Sequence, residues 1–135
     1  MAENIAVVGG GAAGMMAAIA ALEKGAAVTL FEPNKMLGKK LRITGKGRCN
    51  VTNDCTPQEF MQNITRNGKF MYSSVNRFTP SDVMAFFESC GVPLKTERGR
   101  RVFPQSDRAG DIVLSLEKKL KSLGCDIFRE RVTSL

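Results

Sequence analysis

The feature that most constrains the fold is a glycine-rich turn at residues 9–14, between two segments of different pattern. The apolar run 4–8 before the turn is typical of a buried strand, and residues 12–24, rich in Ala, Met and Leu, predict a helix. A second apolar run at 26–32 predicts another buried strand. Two strands joined by one helix pair in parallel, so the chain is predicted to begin with a βαβ unit of an α/β fold.

Gly9, Gly11 and Gly14 have the spacing of the GxGxxG loop that binds dinucleotides. The first glycine permits a tight turn, the second lets the backbone approach a pyrophosphate, and the third allows the helix to pack closely on the strand. The helix that follows offers free N–H groups and the positive end of its dipole to the anion. We therefore predict that this loop, with Ala12 and Ala13 at the start of the helix, binds a pyrophosphate.

Glu32 ends the second predicted strand, 18 residues after Gly14. An acidic side chain at this place can accept hydrogen bonds from the hydroxyl groups of an adenosine ribose. It would also repel a 2′-phosphate, so the site should disfavour NADP. The loop and the carboxylate together predict an ADP moiety, which NAD and FAD both contain.

Composition limits the chemistry that the side chains alone can perform. The 135 residues include four cysteines without a CxxC pair and no histidine, so we expect neither a zinc site nor Ser–His or Cys–His catalysis. Any chemistry would then depend on a cofactor. The net charge of +7 fits a nucleic-acid partner, a solvated basic surface or a site for a phosphorylated cofactor. We recognise no transmembrane run and no signal peptide, and expect a cytoplasmic protein without a membrane partner.

The elements expected after the βαβ unit are shorter. Two Thr-Pro pairs, at Thr56 and Thr79, each predict a capped helix that begins at the proline, and Gly91 ends the second helix. Residues 94–103 predict a hairpin around Gly99.

The last third of the chain predicts one longer helix and a terminal strand. Ser106 is expected to cap a helix over about 107–123. The segment around Ser106 could approach a cofactor instead, but a cap requires no ligand and is the simpler expectation. Residues 125–135 are expected to form a last strand or strand pair that reaches the end of the chain.

A second glycine-containing segment, GKKLRITGKGRCNVTN at 38–53, is a poor strand and a poor helix. Its glycines would let the backbone approach a ligand, and its five Lys and Arg residues would suit a diphosphate. With the first loop and with RVFPQSDRA at 101–109, it resembles the BaiN/YhiN-type flavoproteins, which include aminoacetone oxidase-like enzymes. This family consists of NAD(P)/FAD-dependent oxidoreductases, and the resemblance spans the chain.

The resemblance implies a truncated, Rossmann-like FAD-binding domain with a parallel sheet, in which residues 38–53 lie along the cofactor. Residues 1–135 would be the N-terminal portion, without the family's substrate domain and the C-terminal segment that returns to the FAD site. NAD(P)H would reduce the flavin of the complete enzyme, and no catalytic residue or metal ligand is assigned. The predicted cofactor-binding residues are Gly9, Gly11, Ala12, Ala13, Gly14, Glu32, Lys40, Thr44, Gly45, Arg48, Cys49, Asn50 and Val132.

Two of these residues, Cys49 and Val132, allow a second interpretation. Cys49 is expected to pack beside the flavin and not to react, since the nearest other cysteine, Cys55, is not in a CxxC arrangement with it. The resemblance implies that Val132 lies on a strand against the adenine. A β-branched core residue is an equally good interpretation of Val132.

The sequence leaves three functions as hypotheses. The leading one is the FAD-binding part of a flavin-dependent oxidoreductase with an unknown small-molecule substrate. The second is an FAD-dependent protein that modifies RNA, because the basic residues at 35–48 and 95–101 could hold phosphates. These two runs lack interleaved aromatic residues, so a nucleic-acid partner is not the leading expectation. The third is a non-catalytic nucleotide-binding fragment that self-associates through an exposed sheet edge.

Overall fold

A computed structural model describes residues 2–135 and contains six strands and five α-helices in that range. Short 3₁₀ turns at Leu41–Gly47 and Arg98–Arg100 connect some of them. In chain order the elements are β1 (Asn4–Val8), α1 (Ala12–Glu23), β2 (Ala27–Phe31), β3 (Thr52–Asn53), α2 (Pro57–Gln62), α3 (Gly68–Arg77), α4 (Pro80–Ser89), β4 (Leu94–Glu97), β5 (Arg101–Pro104), α5 (Ala109–Ser122) and β6 (Asp126–Phe128).

A parallel three-stranded sheet forms the first half of the fold, with the strand order β1-β2-β6. β1 pairs with β2 along its whole length, from Asn4 opposite Ala27 to Val8 opposite Phe31. The predicted βαβ unit and the α/β fold class are therefore confirmed, with element boundaries that differ from the sequence prediction by one residue.

The core lies on one face of this sheet, where α1 and α5 pack together. Val28 and Leu30 of β2 alternate with exposed or half-buried neighbours, and they contact a cluster that includes Ile19 and Leu116. On the opposite face, Phe128 stacks on Phe31 with ring centroids 5.8 Å apart, and 48% of Phe128 is exposed. The apolar pattern with a period of two therefore marks the covered face of the sheet.

The second sheet is antiparallel and has the strand order β3-β5-β4. β4 and β5 form the hairpin predicted for 94–103, and Gly99 adopts φ +76° in its turn. β3 was not predicted, because its residues belong to the segment 38–53, which is a poor strand by sequence. Thr52 lies opposite Val102, so this two-residue strand exists because β5 offers it an edge.

The helices α2 and α4 begin as predicted. The Thr56 side chain accepts a hydrogen bond from Glu59 N–H, and the Thr79 side chain accepts one from Asp82 N–H. Each acid side chain in turn accepts from the backbone N–H of its threonine, which completes a capping box. α3 was not predicted. No helix within residues 2–135 is long and apolar enough to cross a membrane.

The predicted cap at Ser106 is wrong. α5 begins at Ala109, its N-cap residue is Arg108, and no side chain closes that end. The Ser106 hydroxyl instead donates to Asp111 Oδ2 at 2.6 Å and accepts from the Arg108 backbone at 3.3 Å. Ser106 therefore stabilises the turn before α5, two residues earlier than an N-cap.

The expectation of a strand to the end of the chain is also wrong, because β6 ends at Phe128 and residues 129–135 are not in a strand. The last backbone contact is a hydrogen bond from Glu32 N–H to the Phe128 carbonyl at 2.9 Å. Alternate residues of a strand point to the same neighbour, so the next N–H on the β6 side belongs to Asn34, and it donates to Glu32 Oε1 at 2.9 Å instead of extending the ladder. The partner strand therefore ends before residues 129–135 could pair with it.

Candidate dinucleotide site

The glycine loop turns directly from β1 into α1. Gly9 adopts φ +103°, and its N–H donates to the Phe31 carbonyl of β2 at 2.8 Å. A Cβ atom on Gly14 would lie 1.8 Å from the Gly9 carbonyl oxygen. Glycine at position 14 is therefore required by the close approach of α1 to β1, which is the role expected of the third glycine of the loop.

The space in front of α1 is open. Gly11 has φ −82° and ψ −171°, and a Cβ atom built there meets no protein atom within 4 Å. No side chain caps α1 and no acidic residue occupies its first turn, in contrast to the two helices with capping boxes. The backbone at Ala12 and Ala13 thus forms a free helix N-terminus, which favours an anion.

Glu32 lies beside this loop with its carboxylate buried. Oε2 accepts a hydrogen bond from Gly10 N–H at 2.8 Å, and Oε1 accepts two from Asn34, from the backbone at 2.9 Å and from the amide at 2.7 Å. An ionised carboxylate has about four acceptor positions, so one on Oε2 remains for a ligand hydroxyl. Asn34, which sequence analysis missed, therefore orients the predicted ribose acceptor.

These bonds favour the ionised form of Glu32 although only 9% of the residue is exposed to solvent. The backbone hydrogen bond from Asn34 lowers the pKa of Glu32 most, with help from Gly10 and from the charge of Arg129, against the desolvation that raises it. The site thus combines a positive helix end for phosphate with a fixed negative charge for hydroxyl groups.

Because Glu32 N–H donates to the Phe128 carbonyl at the end of β6, the chain leaves β6 beside Glu32, and the charge of Arg129, the next residue, helps to lower the pKa of Glu32. Val132 follows three residues later, is partly buried and lies outside any strand. The predicted strand contact of Val132 is therefore not present, and its contact with adenine stays a prediction.

Segment 38–53 begins in contact with the loop. Gly38 N–H donates to the Gly10 carbonyl at 2.8 Å, and the buried Leu37 side chain occupies the space where a Gly10 Cβ atom would be. Lys40 follows on the surface, and no ion pair involves it among residues 2–135. Thr44 is exposed at the kink of the following turn. Lys40 is therefore a free cation on the segment that contacts the loop.

The middle of the segment packs on Phe103, so the two stretches that carried the family resemblance are in contact. Gly45 adopts φ +54°, and a Cβ atom there would lie 3.0 Å from Phe103 Cε1. The Arg48 guanidinium lies over the Phe103 ring, 4.0 Å from its centroid. Its Nη1 also donates to Glu97 at 3.0 Å and to Asp107 at 3.3 Å.

These contacts assign Arg48 a different partner from the one predicted. Two carboxylates neutralise its charge, and the hydrogen bond from Arg48 lowers the pKa of Glu97. Arg48 therefore holds the loop that contains Gly45 on the second sheet, and a role for it in diphosphate binding stays a prediction.

Cys49 and Asn50 complete the segment. Cys49 is 1% exposed, and burial raises the pKa of its thiol, which supports the interpretation of a packed, unreactive cysteine. With its amide nitrogen toward β5, Asn50 donates to the carbonyls of Thr52 and Val102 at 3.0 and 3.1 Å. Among residues 2–135 no group of three or more His, Cys, Asp or Glu side chains is arranged to hold a metal ion.

The parallel βαβ unit, the glycine loop and the buried glutamate define a Rossmann domain of the dinucleotide-binding class. The sequence profile of the family described as "HI0933-like protein Rossmann domain" matches residues 3–135. The chain therefore belongs to the HI0933-like family, and the resemblance to BaiN/YhiN-type flavoproteins is confirmed.

Curated relatives agree with this membership. A 3-dehydro-bile acid delta(4,6)-reductase of Clostridium scindens is 34% identical over 88% of this chain and 29% of its own length. A ribosomal RNA dihydrouridine synthase of Haemophilus influenzae is 30% identical over 93% of this chain and 30% of its own length. The chain thus spans less than a third of the length of either relative.

Among solved structures, the crystal structure of Thermovibrio ammonificans THI4 superposes with a TM-score of 0.59. The match covers 94% of this chain and 38% of that chain at 16% identity. At this identity the likeness concerns the fold alone.

Proposed function

We propose that the chain binds FAD and is the FAD-binding portion of a flavin-dependent oxidoreductase. The observation that carries this proposal is the buried, ionised Glu32, bonded to Gly10 beside the open N-terminus of α1. This pairing of an anion site with a hydroxyl acceptor fits the pyrophosphate and ribose of an ADP moiety.

Each part of the site has a distinct role in the proposal. The α1 N-terminus would hold the pyrophosphate, with Gly11 leaving room for it, and Lys40 would add positive charge nearby. The free acceptor position of Glu32 would bind a ribose hydroxyl and repel a 2′-phosphate. Bound FAD would supply the transfer of a hydride or an electron pair, while the protein binds and orients it.

Family membership favours FAD over NAD as the resident cofactor, because the sequence resembles flavoproteins beyond the first loop. One relative is named as a reductase of a bile acid and the other as a dihydrouridine synthase of ribosomal RNA, and both names fit an oxidoreductase. NAD(P)H is the reductant that we propose for the flavin.

Competition for the site tests the proposal. FAD and ADP should exclude each other, whereas FMN, which lacks the adenosine half, should not displace FAD. Glu32→Gln keeps the shape but loses the charge, and should weaken FAD binding roughly tenfold or more, since charge-assisted hydrogen bonds contribute about 1.5–3 kcal/mol. Glu23→Gln, an exposed control on α1, should bind FAD as the wild type does. Equal binding of FMN and FAD, or full affinity in Glu32→Gln, would contradict the assignment.

A second candidate is an FAD-dependent activity on RNA. The specific observation in its favour is the ribosomal RNA dihydrouridine synthase of Haemophilus influenzae, which aligns with 93% of the chain. Binding of RNA by this chain, lost in high salt, is the measurement that tests it.

A further inference from the structure

The helix α3 exposes aromatic side chains that a globular domain would normally bury. Phe70 is 85% exposed and Tyr72 is 64% exposed, while Val75 is the buried residue of this ten-residue helix. Large rings usually contribute most to a core or an interface. Two rings in water on one short helix therefore indicate a contact surface.

The charge of the same region is positive and uncompensated. Residues 60–81 contain Arg66, Lys69 and Arg77 and no acidic residue. Within residues 2–135 these three cations form no ion pair. The nearest acids in the sequence are engaged elsewhere, Glu59 with Arg100 at 3.0 Å and Asp82 in the cap of α4. The region therefore attracts polyanions.

The arrangement of rings and cations distinguishes between partners. Phe70 and Tyr72 are two positions apart, which places them roughly 200° apart around the helix. Lys69 is three positions before Tyr72 and Arg77 is seven after Phe70, so each ring shares its side of the helix with a cation.

A membrane surface needs one continuous exposed apolar face. The side of α3 between the two rings contains the buried Val75 and Met71, which is 37% exposed, so this side packs on the protein and the exposed apolar surface is interrupted. A second copy of α3 would bring like charges together.

We propose that the α3 surface, formed by Arg66, Lys69, Phe70, Tyr72 and Arg77, binds unpaired RNA. Unpaired bases offer flat faces to each ring, and the adjacent phosphates pair with the cations. The inference deepens the second candidate function by assigning its contact surface. The basic runs identified from the sequence lack aromatic residues, whereas α3 combines both features.

The chain contains its own reporter for this contact. Tyr72 is the single tyrosine, and there is no tryptophan, so tyrosine emission reports on the α3 surface alone. Short single-stranded RNA of mixed sequence should quench this emission, after correction for absorbance with free tyrosine amide. Labelled RNA gives the dissociation constant independently by fluorescence anisotropy.

Two variants separate stacking from charge. Phe70→Ala should weaken RNA binding roughly tenfold, because stacking of one base contributes about 1–3 kcal/mol. Arg77→Gln should reduce the slope of log K against log salt by about 0.7. The exposed α5 residues supply matched controls, Leu114→Ala for an apolar side chain and Lys121→Gln for a charge, and neither should change binding.

Inorganic polyphosphate and anionic phospholipid vesicles are the competing ligands. We expect polyphosphate to bind more weakly than RNA and without sensitivity to Phe70→Ala. RNA affinity unchanged by Phe70→Ala, or vesicle binding without RNA binding, would overturn the proposal.

FAD binding is measured on the same samples and should be equal in the wild type and in Phe70→Ala. A wild type that binds RNA but not FAD would refute the flavin proposal alone, and the reverse result would refute the α3 proposal alone.

Discussion

Two alanine substitutions in the glycine loop separate packing from ligand binding. In Gly14→Ala the new methyl group would lie 1.8 Å from the Gly9 carbonyl oxygen, a backbone atom that cannot rotate away. Overpacking usually costs about 1–3 kcal/mol, and a contact this short belongs at the upper end or above it. At about 4 °C per kcal/mol for a domain of this size, the Tm should fall by about 12 °C.

Gly11→Ala should leave the fold nearly unchanged. Its backbone is extended, and the methyl group meets no protein atom within 4 Å. The reduced freedom of the unfolded chain stabilises by about 0.4–1 kcal/mol, and the poorer N-cap preference of alanine offsets a similar amount. The methyl group would stand where the pyrophosphate must approach, and we expect FAD affinity to fall roughly tenfold or more.

Thermal unfolding with and without FAD measures both effects in one assay. FAD at about 100 times the wild-type Kd should stabilise the wild type by about 2.7 kcal/mol, and a tenfold weaker site reduces this to about 1.4 kcal/mol. The expected pattern is a normal Tm with a small FAD response for Gly11→Ala and a low Tm for Gly14→Ala. A full FAD response in Gly11→Ala, or a normal Tm in Gly14→Ala, would refute this reasoning about the loop.

Three further predictions concern the stability and reactivity of the protein. Hydrogen bonds hold the pKa of Glu32 below its ordinary value of 4.5, so its carboxylate stabilises the fold above that pH. This stabilisation is lost as the pH falls through the lower pKa of the folded state. In an acid titration, the free energy of unfolding of Glu32→Gln should therefore fall less steeply over that interval than that of the wild type. Thr79→Ala should lower the free energy of unfolding by about 1 kcal/mol in urea denaturation, with Thr79→Ser retaining most of the cap; equal losses in the two would show that the hydroxyl is not the cause. Cys49 is 1% exposed and burial raises the pKa of its thiol, so in the folded protein it should react with a disulfide reagent more slowly than the other three cysteines. Four thiols that react at the same fast rate would contradict its burial.

Local signals in the sequence were sufficient for the elements that rely on local physics. The apolar runs of β1 and β2, the glycine turn between them and the Thr-Pro caps of α2 and α4 all predicted their elements correctly. The elements that failed depend on distant partners. β3 exists because β5 pairs with it, and β6 ends where the Asn34 N–H of the neighbouring chain donates to the Glu32 carboxylate instead of extending the ladder. Neither partner lies within the segment itself.

The candidate site shows the same division. The glycine loop and Glu32 could be predicted from the sequence because the function of such a loop fixes the spacing of its residues. The surroundings of Gly11 and Gly14 in the structure are those that their roles require. Arg48 was grouped with the other cations of its segment, since the sequence does not show that Glu97 and Asp107 lie within hydrogen-bonding distance of it. Tertiary neighbours decide whether a cation is free for a ligand.

The most direct test of the account is the absorption spectrum of the purified protein after incubation with excess FAD and gel filtration, with Glu32→Ala in parallel. The account predicts that flavin absorbance elutes with the folded wild type at close to one FAD per chain and is reduced in Glu32→Ala. Folded wild-type protein that elutes without flavin, or an unchanged flavin content in a folded Glu32→Ala, would contradict the central claim that the loop and Glu32 form an FAD site.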